Sequence, residues 1–246
     1  VKPHFFRAPL DNDKGFGNWI AKDWKNNRLD SPETATVKPL DAKRNADGTV
    51  TVTTTQECRY ANGKITTDYV YTMDADGSVD FSATYTPEGQ LPPLPCIGNT
   101  FLMDKDMTRL SWYGQGLQDS YVDRLEATSI GRWTSSVDQE YVHYPQQQSS
   151  GNHEQTVTLS LTDARGRGYT VTTANATPFA FSALPYSEHQ LSTVAHDCDL
   201  HTENNVFLNI DAAMMGLGNS SCGPGVLTKY SIPQKQHSLH VMFKRK

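Results

Sequence analysis

A basic excess, long apolar runs and clustered cysteines are all missing from this chain of 246 residues. Its 22 Lys and Arg are outnumbered by 27 Asp and Glu, giving a formal net charge of −5. Phosphate binding relies on clustered cations, so nucleic acid is not expected as a partner. The one basic cluster, Lys244-Arg245-Lys246, is terminal and reads as a solvated tail. No stretch approaches the roughly 20 apolar residues of a membrane span, so no membrane partner is expected either. Mean hydropathy is −0.58. The cysteines, at positions 58, 96, 198 and 222, form no C-x-x-C pair, and the histidines form no H-x-x-x-H. Zinc-type spacing is therefore absent; no metal or cofactor is expected and the thiols are expected to be free. The start, Val1-Lys2-Pro3-His4, carries neither an initiator Met nor a signal-peptide core, so the chain is expected to be a piece of a longer polypeptide.

What is present is period-two patterning. TVTVTTT (49–55), KITTDYVYTM (64–73) and SVDFSATYT (78–86) are β-branched or alternating runs separated by Ala61-Asn62-Gly63 and Asp74-Ala75-Asp76-Gly77. They predict three strands in a meander, with Gly where φ is positive. Further strands are predicted at 109–113, 156–162, 169–174, 179–184, 206–210, 225–232 and 238–243, with a hairpin turn at 163–168. Helical signal is poor: 187–196 has a cap-like Ser187 and one apolar face, and 119–127 is a weaker candidate. QLPPLP (90–95) is either an interdomain linker or a rigid bend, and the even composition on both sides favours the bend. About a dozen short strands predict one all-β antiparallel domain over residues 1–246, a sandwich or barrel.

Four segments are richer in polar and aromatic groups than strands require. In FFRAPLDND (5–13), Arg7 stands with Asp11 and Asn12, whose groups suit sugar hydroxyls or a hard cation, or else an Asx-turn and an Arg7–Asp11 pair. In LSWYGQGLQDSYVDRLEATSIGRW (110–133), Trp112 and Arg132 stand beside Gln and Asp groups that suit a pyranose. The alternative there is a core Trp with an Asp123–Arg124 surface pair. Glycines 114 and 116 predict that the strand ends in a turn. YVHYPQQQSSGNHE (141–154) offers Asn152 and His153, the latter with a side chain that titrates near neutrality. LNIDAAMMGLGNSSCGPG (208–225) passes from strand to a Gly-rich loop with Asn219 and Cys222. Lacking Lys and a following helix, it is not a P-loop. No spacing marks a catalytic carboxylate pair, and none is assigned.

These segments, with FAFSALPYS and AHDCDL, resemble the C-terminal small-chain domain of the large bacterial β-galactosidases of glycoside hydrolase family two. They lie in family order from Phe5 to Gly225; FRAPLDND and LNID with its Gly loop are the most specific. The resemblance implies an antiparallel supersandwich similar to galactose mutarotase. It also implies a separate TIM barrel of the same polypeptide as partner, which carries both catalytic glutamates. In that family a loop of this domain offers a Trp that stacks on the sugar. The matching position falls on or beside Cys222, a departure from the pattern.

The expectation is thus an accessory domain that completes the active-site mouth for hydrolysis of terminal β-D-galactosides. Arg7, Asp11, Asn12, Trp112, Arg132, Asn152, His153, Asn219 and Cys222 are its sugar-facing candidates, and galactose or a related sugar its ligand. A homo-oligomer and a bacterial cytoplasmic or periplasmic location are both compatible with this. A free-standing carbohydrate-binding module is the alternative, followed by an aldose 1-epimerase using His153 and a partner carboxylate.

Overall fold

A computed structural model describes residues 1–15 and 20–246. Fourteen strands, among the described residues, form two antiparallel sheets. The nine-stranded sheet contains β2 (Glu33–Arg44), β3 (Val50–Tyr60), β4 (Gly63–Met73), β5 (Val79–Gly89), β7 (Arg109–Gly116), β8 (Ser129–Ser136), β10 (Thr158–Thr162), β11 (Gly168–Thr173) and β14 (His237–Arg245). Their spatial order is β2-β3-β4-β5-β14-β11-β10-β7-β8. The five-stranded sheet contains β1 (Lys2–His4), β6 (Cys96–Asp104), β9 (His153–Thr156), β12 (Phe179–Leu184) and β13 (Asn205–Met214), ordered β1-β6-β13-β12-β9.

Alternation explains the layers. On β4 and β5, Ile65, Tyr69, Phe81, Ala83 and Tyr85 are buried at every second position. They meet Ile97, Phe101, Leu208, Ile210 and Phe181 of the smaller sheet in one continuous apolar cluster. One polar tie crosses it: Asn99 accepts from Tyr85 Oη at 2.5 Å and donates to Tyr69 Oη at 2.9 Å. Burying that amide is tolerable because both of its ends are paired.

The meander, the 163–168 hairpin and most of the predicted strands appear as expected. Several details differ. Residues 90–95 form the passage from β5 in one sheet to β6 in the other. The predicted strand at 225–232 is a loop with one 3-10 turn, Thr228–Tyr230. The candidate helix at 119–127 shrinks to the 3-10 turn Leu125–Ala127. Helix α3 (Glu188–Thr193) does follow Ser187, whose hydroxyl accepts from the Gln190 amide; helices α1 (Ile20–Asn26) and α2 (Val137–Glu140) precede it. β7 passes through Gly114, still paired with β8, and ends at Gly116 as expected.

Candidate functional site: a loop cluster at one end of the sheets

Hydrogen bonds draw the four polar segments together at one end of the small sheet. Arg7 is the hub of the first. It grips Asp13 with Nε and Nη2 at 3.3 and 3.0 Å and donates Nη1 to the Met215 carbonyl at 3.1 Å. Asp13 also accepts the Leu10 amide, which folds 10–13 into a tight turn. Burial alone would weaken the Arg7 charge, but the Asp13 carboxylate outweighs it and holds the guanidinium above its ordinary range. The Trp24 and Tyr121 rings flank the same guanidinium at 5.8 and 5.7 Å.

The Gly-rich loop is fixed from two neighbouring segments. Asp123 accepts the Leu217 amide at 3.0 Å and the Gly218 amide at 2.8 Å. A Cβ at Gly216 would press on that carboxylate, so the close approach requires glycine. Arg124 donates to the Gly218 carbonyl at 2.6 Å and to Asn219 Oδ1 at 3.3 Å. Asn12 donates to the same carbonyl at 2.8 Å and accepts from Ser221. The third segment joins through Gln148, which accepts the Asp11 amide, and through Ser149, whose amide donates to the Ala8 carbonyl. Asn152 and Ser120 clasp each other: Asn152 Nδ2 donates to the Ser120 carbonyl at 2.7 Å, and the Ser120 amide returns to the Asn152 carbonyl at 2.6 Å.

The nine sugar-facing candidates divide by burial. Arg7, Trp112, Asn152 and His153 are all buried, so these side chains face the interior. Arg7 pairs with Asp13 and not with Asp11. Trp112 is a core residue whose Nε1 donates to the Gln115 carbonyl, with the His153 and Phe181 rings at 4.3 and 5.6 Å. Asp11, Arg132, Asn219 and Cys222 are exposed and Asn12 is half-buried. Arg132 lies over the Tyr113 ring, 5.6 Å from its centroid. The expected Asp123–Arg124 surface pair is replaced by the two loop clamps, because each side chain finds backbone partners on 217–218.

His153 Nε2 is 2.6 Å from Glu140 Oε2, and its Nδ1 is buried without a partner. With the ring fully buried and one nitrogen committed to Glu140, it presents no open acid to a bound pyranose. Beside this pair lies a cleft of about 650 Å³ lined by Gln118, Asp119, Arg124, Thr128, Glu140 and Gly151. Burial raises the Asp119 carboxyl, against the opposing pull of His153. Glu154, behind Asn152, is pushed up to about 8 by burial. Asp123, Arg124, Gln148 and Ser120 were not among the candidates; only contacts across the fold reveal their part.

Two packed antiparallel sheets with polar loops clustered at one end define an all-β sandwich. The chain belongs to the β-galactosidase small-chain family: the model described as "Beta galactosidase small chain" matches residues 1–243. A β-galactosidase of Streptococcus thermophilus is 31% identical over 218 residues, covering 88% of this chain and 21% of that protein. A β-galactosidase of Bifidobacterium adolescentis is 34% identical over 186 residues, covering 74% and 17%. One of Photobacterium profundum is 28% identical over 253 residues, covering 98% and 23%. The chain thus spans about a fifth of the length of these curated relatives. Among solved structures, a GalM/aldose epimerase homologue from C. elegans overlaps 85% of this chain and 69% of its own, with a TM-score of 0.38 and 11% identity.

Proposed function

We propose that this chain is the accessory domain of a β-galactosidase, and that its loop cluster completes the active-site mouth formed by another part of the polypeptide. The relatives it matches are β-galactosidases several times its length, so the bond-breaking groups are assigned to the remainder. The parent reaction is retaining hydrolysis of a terminal β-galactoside, with acid and nucleophile supplied by a TIM barrel.

The observation that carries this reading is the pinned Gly loop. Asp123, Arg124 and Asn12 fix its backbone, leaving Asn219 and Cys222 exposed at its tip. A rigid loop with exposed polar groups at its tip suits a wall that positions sugar hydroxyls, because binding then costs little ordering entropy. Arg7 and Asn152 serve the mouth from beneath by holding neighbouring loops.

The test compares the isolated chain with the full polypeptide on a chromogenic β-galactoside. Hydrolysis by the full polypeptide and none by the chain is expected; turnover by the chain above the blank refutes the assignment. Calorimetry of the chain with galactose is expected to be silent. Tight binding would instead favour a free-standing carbohydrate-binding module.

A further inference from the structure

Apart from the loop network, three reactive side chains meet within the small sheet: His4 on β1, Cys96 at the start of β6 and Asp211 on β13, all buried. Strand pairing assembles them. His4 faces Gly98, Gly98 faces Asp211 on the other side of β6, and Cys96 faces Met214. His4 Nδ1 is 2.7 Å from Asp211 Oδ1, while Nε2 of the same ring is 3.7 Å from Cys96 Sγ. A Cβ at Gly98 would strike the Asp211 carboxylate, so glycine leaves the space the cluster occupies. Asp211 Oδ2 is buried without a hydrogen-bond partner.

The order Cys–His–Asp matches a thiol nucleophile with an oriented base. Cys96 is fully buried, however, which leaves it no open face for a substrate. A different chemistry fits the geometry better. An imidazole held at one nitrogen by a carboxylate, with the other nitrogen aimed at a soft donor, is the arrangement of a metal-ligating histidine. For metal bonds of roughly 2.0 Å to nitrogen and 2.3 Å to sulfur at a tetrahedral angle, the two donors lie about 3.5 Å apart. The observed separation of 3.7 Å is close to that. Met214 lies opposite Cys96 across β6 and β13 in the same apolar cluster, but its sulfur is taken by Arg7 Nη1, which donates to it at 3.5 Å. The Arg7 charge is itself matched by Asp13. His4 also lines an open cleft of about 510 Å³, which offers a route inward.

We propose that His4 and Cys96 form a buried site for a soft metal ion of the Cu(I) type, with Asp211 orienting His4. Imidazole and thiolate together favour such an ion over hard cations. Binding replaces the Cys96 S–H bond with a sulfur–metal bond and releases that proton to solvent; the ion keeps its oxidation state.

The test uses the chain with Cys58, Cys198 and Cys222 changed to Ser, so that Cys96 is its sole thiol. Cu(I) is offered as its bicinchoninate complex. Transfer of one equivalent is expected, with nitrogen and sulfur both in the copper shell by X-ray absorption. Adding Cys96→Ser is expected to abolish transfer, and Asp211→Asn to weaken it about 10–100-fold. No transfer to the single-thiol chain overturns the proposal, as does transfer that persists after Cys96→Ser. If circular dichroism shows that Cys96→Ser unfolds the chain, the absorption spectrum decides: a copper shell without nitrogen overturns the site.

Discussion

At the scale of single residues, burial decides what a polar side chain does. Arg7 and Asp13 are both fully enclosed, so each depends on the other for its lost hydration. Arg7→Ala is expected to cost about 3–5 kcal/mol in urea unfolding, the range for breaking a buried pair. Arg7→Lys should recover only part, because an ammonium cannot reproduce the two-pronged contact. Glu154 gives a pH signature. Its carboxyl is raised from 4.5 to about 8 in the folded chain, so the native state holds a proton that the unfolded state has lost in that window. Stability should therefore fall as pH rises from about 4.5 to about 8 and then level off. Glu154→Gln should flatten that part of the profile and raise the melting temperature at pH 8, as scanning calorimetry would show. The sequence marked FRAPLDND as unusual, but not that Arg7 turns inward; the choice of Asp13 over Asp11 follows from the tight turn at 10–13. His4, Cys96 and Asp211 were invisible to spacing, since 92 and 115 residues separate successive members (96 − 4 and 211 − 96).

At the scale of elements, alternation made some strands legible and its absence hid others. β3, β4 and β5 each have a buried face, so their Thr, Val and Tyr patterns carry a period of two. β2 is exposed along all 12 residues at the sheet edge, so no burial shaped its sequence. Its pairing with β3 slips around Pro39, which donates no ladder hydrogen bond and is tolerated at an edge. The run at 225–232 misleads for the opposite reason: apolar residues there pack without a neighbouring strand. Helix α3 was legible because its cap is chemical. Ser187 accepts the Gln190 amide at 3.2 Å and donates to Glu203 at 2.6 Å. Ser187→Ala should lower stability by about 1 kcal/mol, a shift of about 2–4 °C in thermal unfolding for a chain of this length. Asp123→Ala tests the loop clamps. Faster hydrogen exchange at the Leu217 and Gly218 amides is expected, with a raised KM and little change in kcat in the full polypeptide; unchanged exchange would show that other contacts hold the loop.

At the scale of the whole molecule, the all-β architecture was legible from composition and period, and the two-sheet arrangement follows from which faces are apolar. The convergence of the four polar segments was not, because it depends on strand order. Cys96 and Met214 begin and end neighbouring strands, which delivers 5–13 and 216–225 to the same end of the small sheet. Trp112 and His153 were drawn as surface groups by their chemistry, yet the sandwich closes over both.

That strand order has a further consequence for biogenesis. β14 is inserted between β5 and β11 and is hydrogen-bonded to both. Until residues 237–245 leave the ribosome, the earlier strands can assemble only as two separate four-stranded ribbons, β2 to β5 and β11-β10-β7-β8. Each ribbon then presents an unpaired margin to other nascent chains. Maturation of the large sheet is accordingly a late, zipper-like event, and a premature stop codon upstream of residue 237 should yield inclusion bodies rather than a shortened but soluble protein.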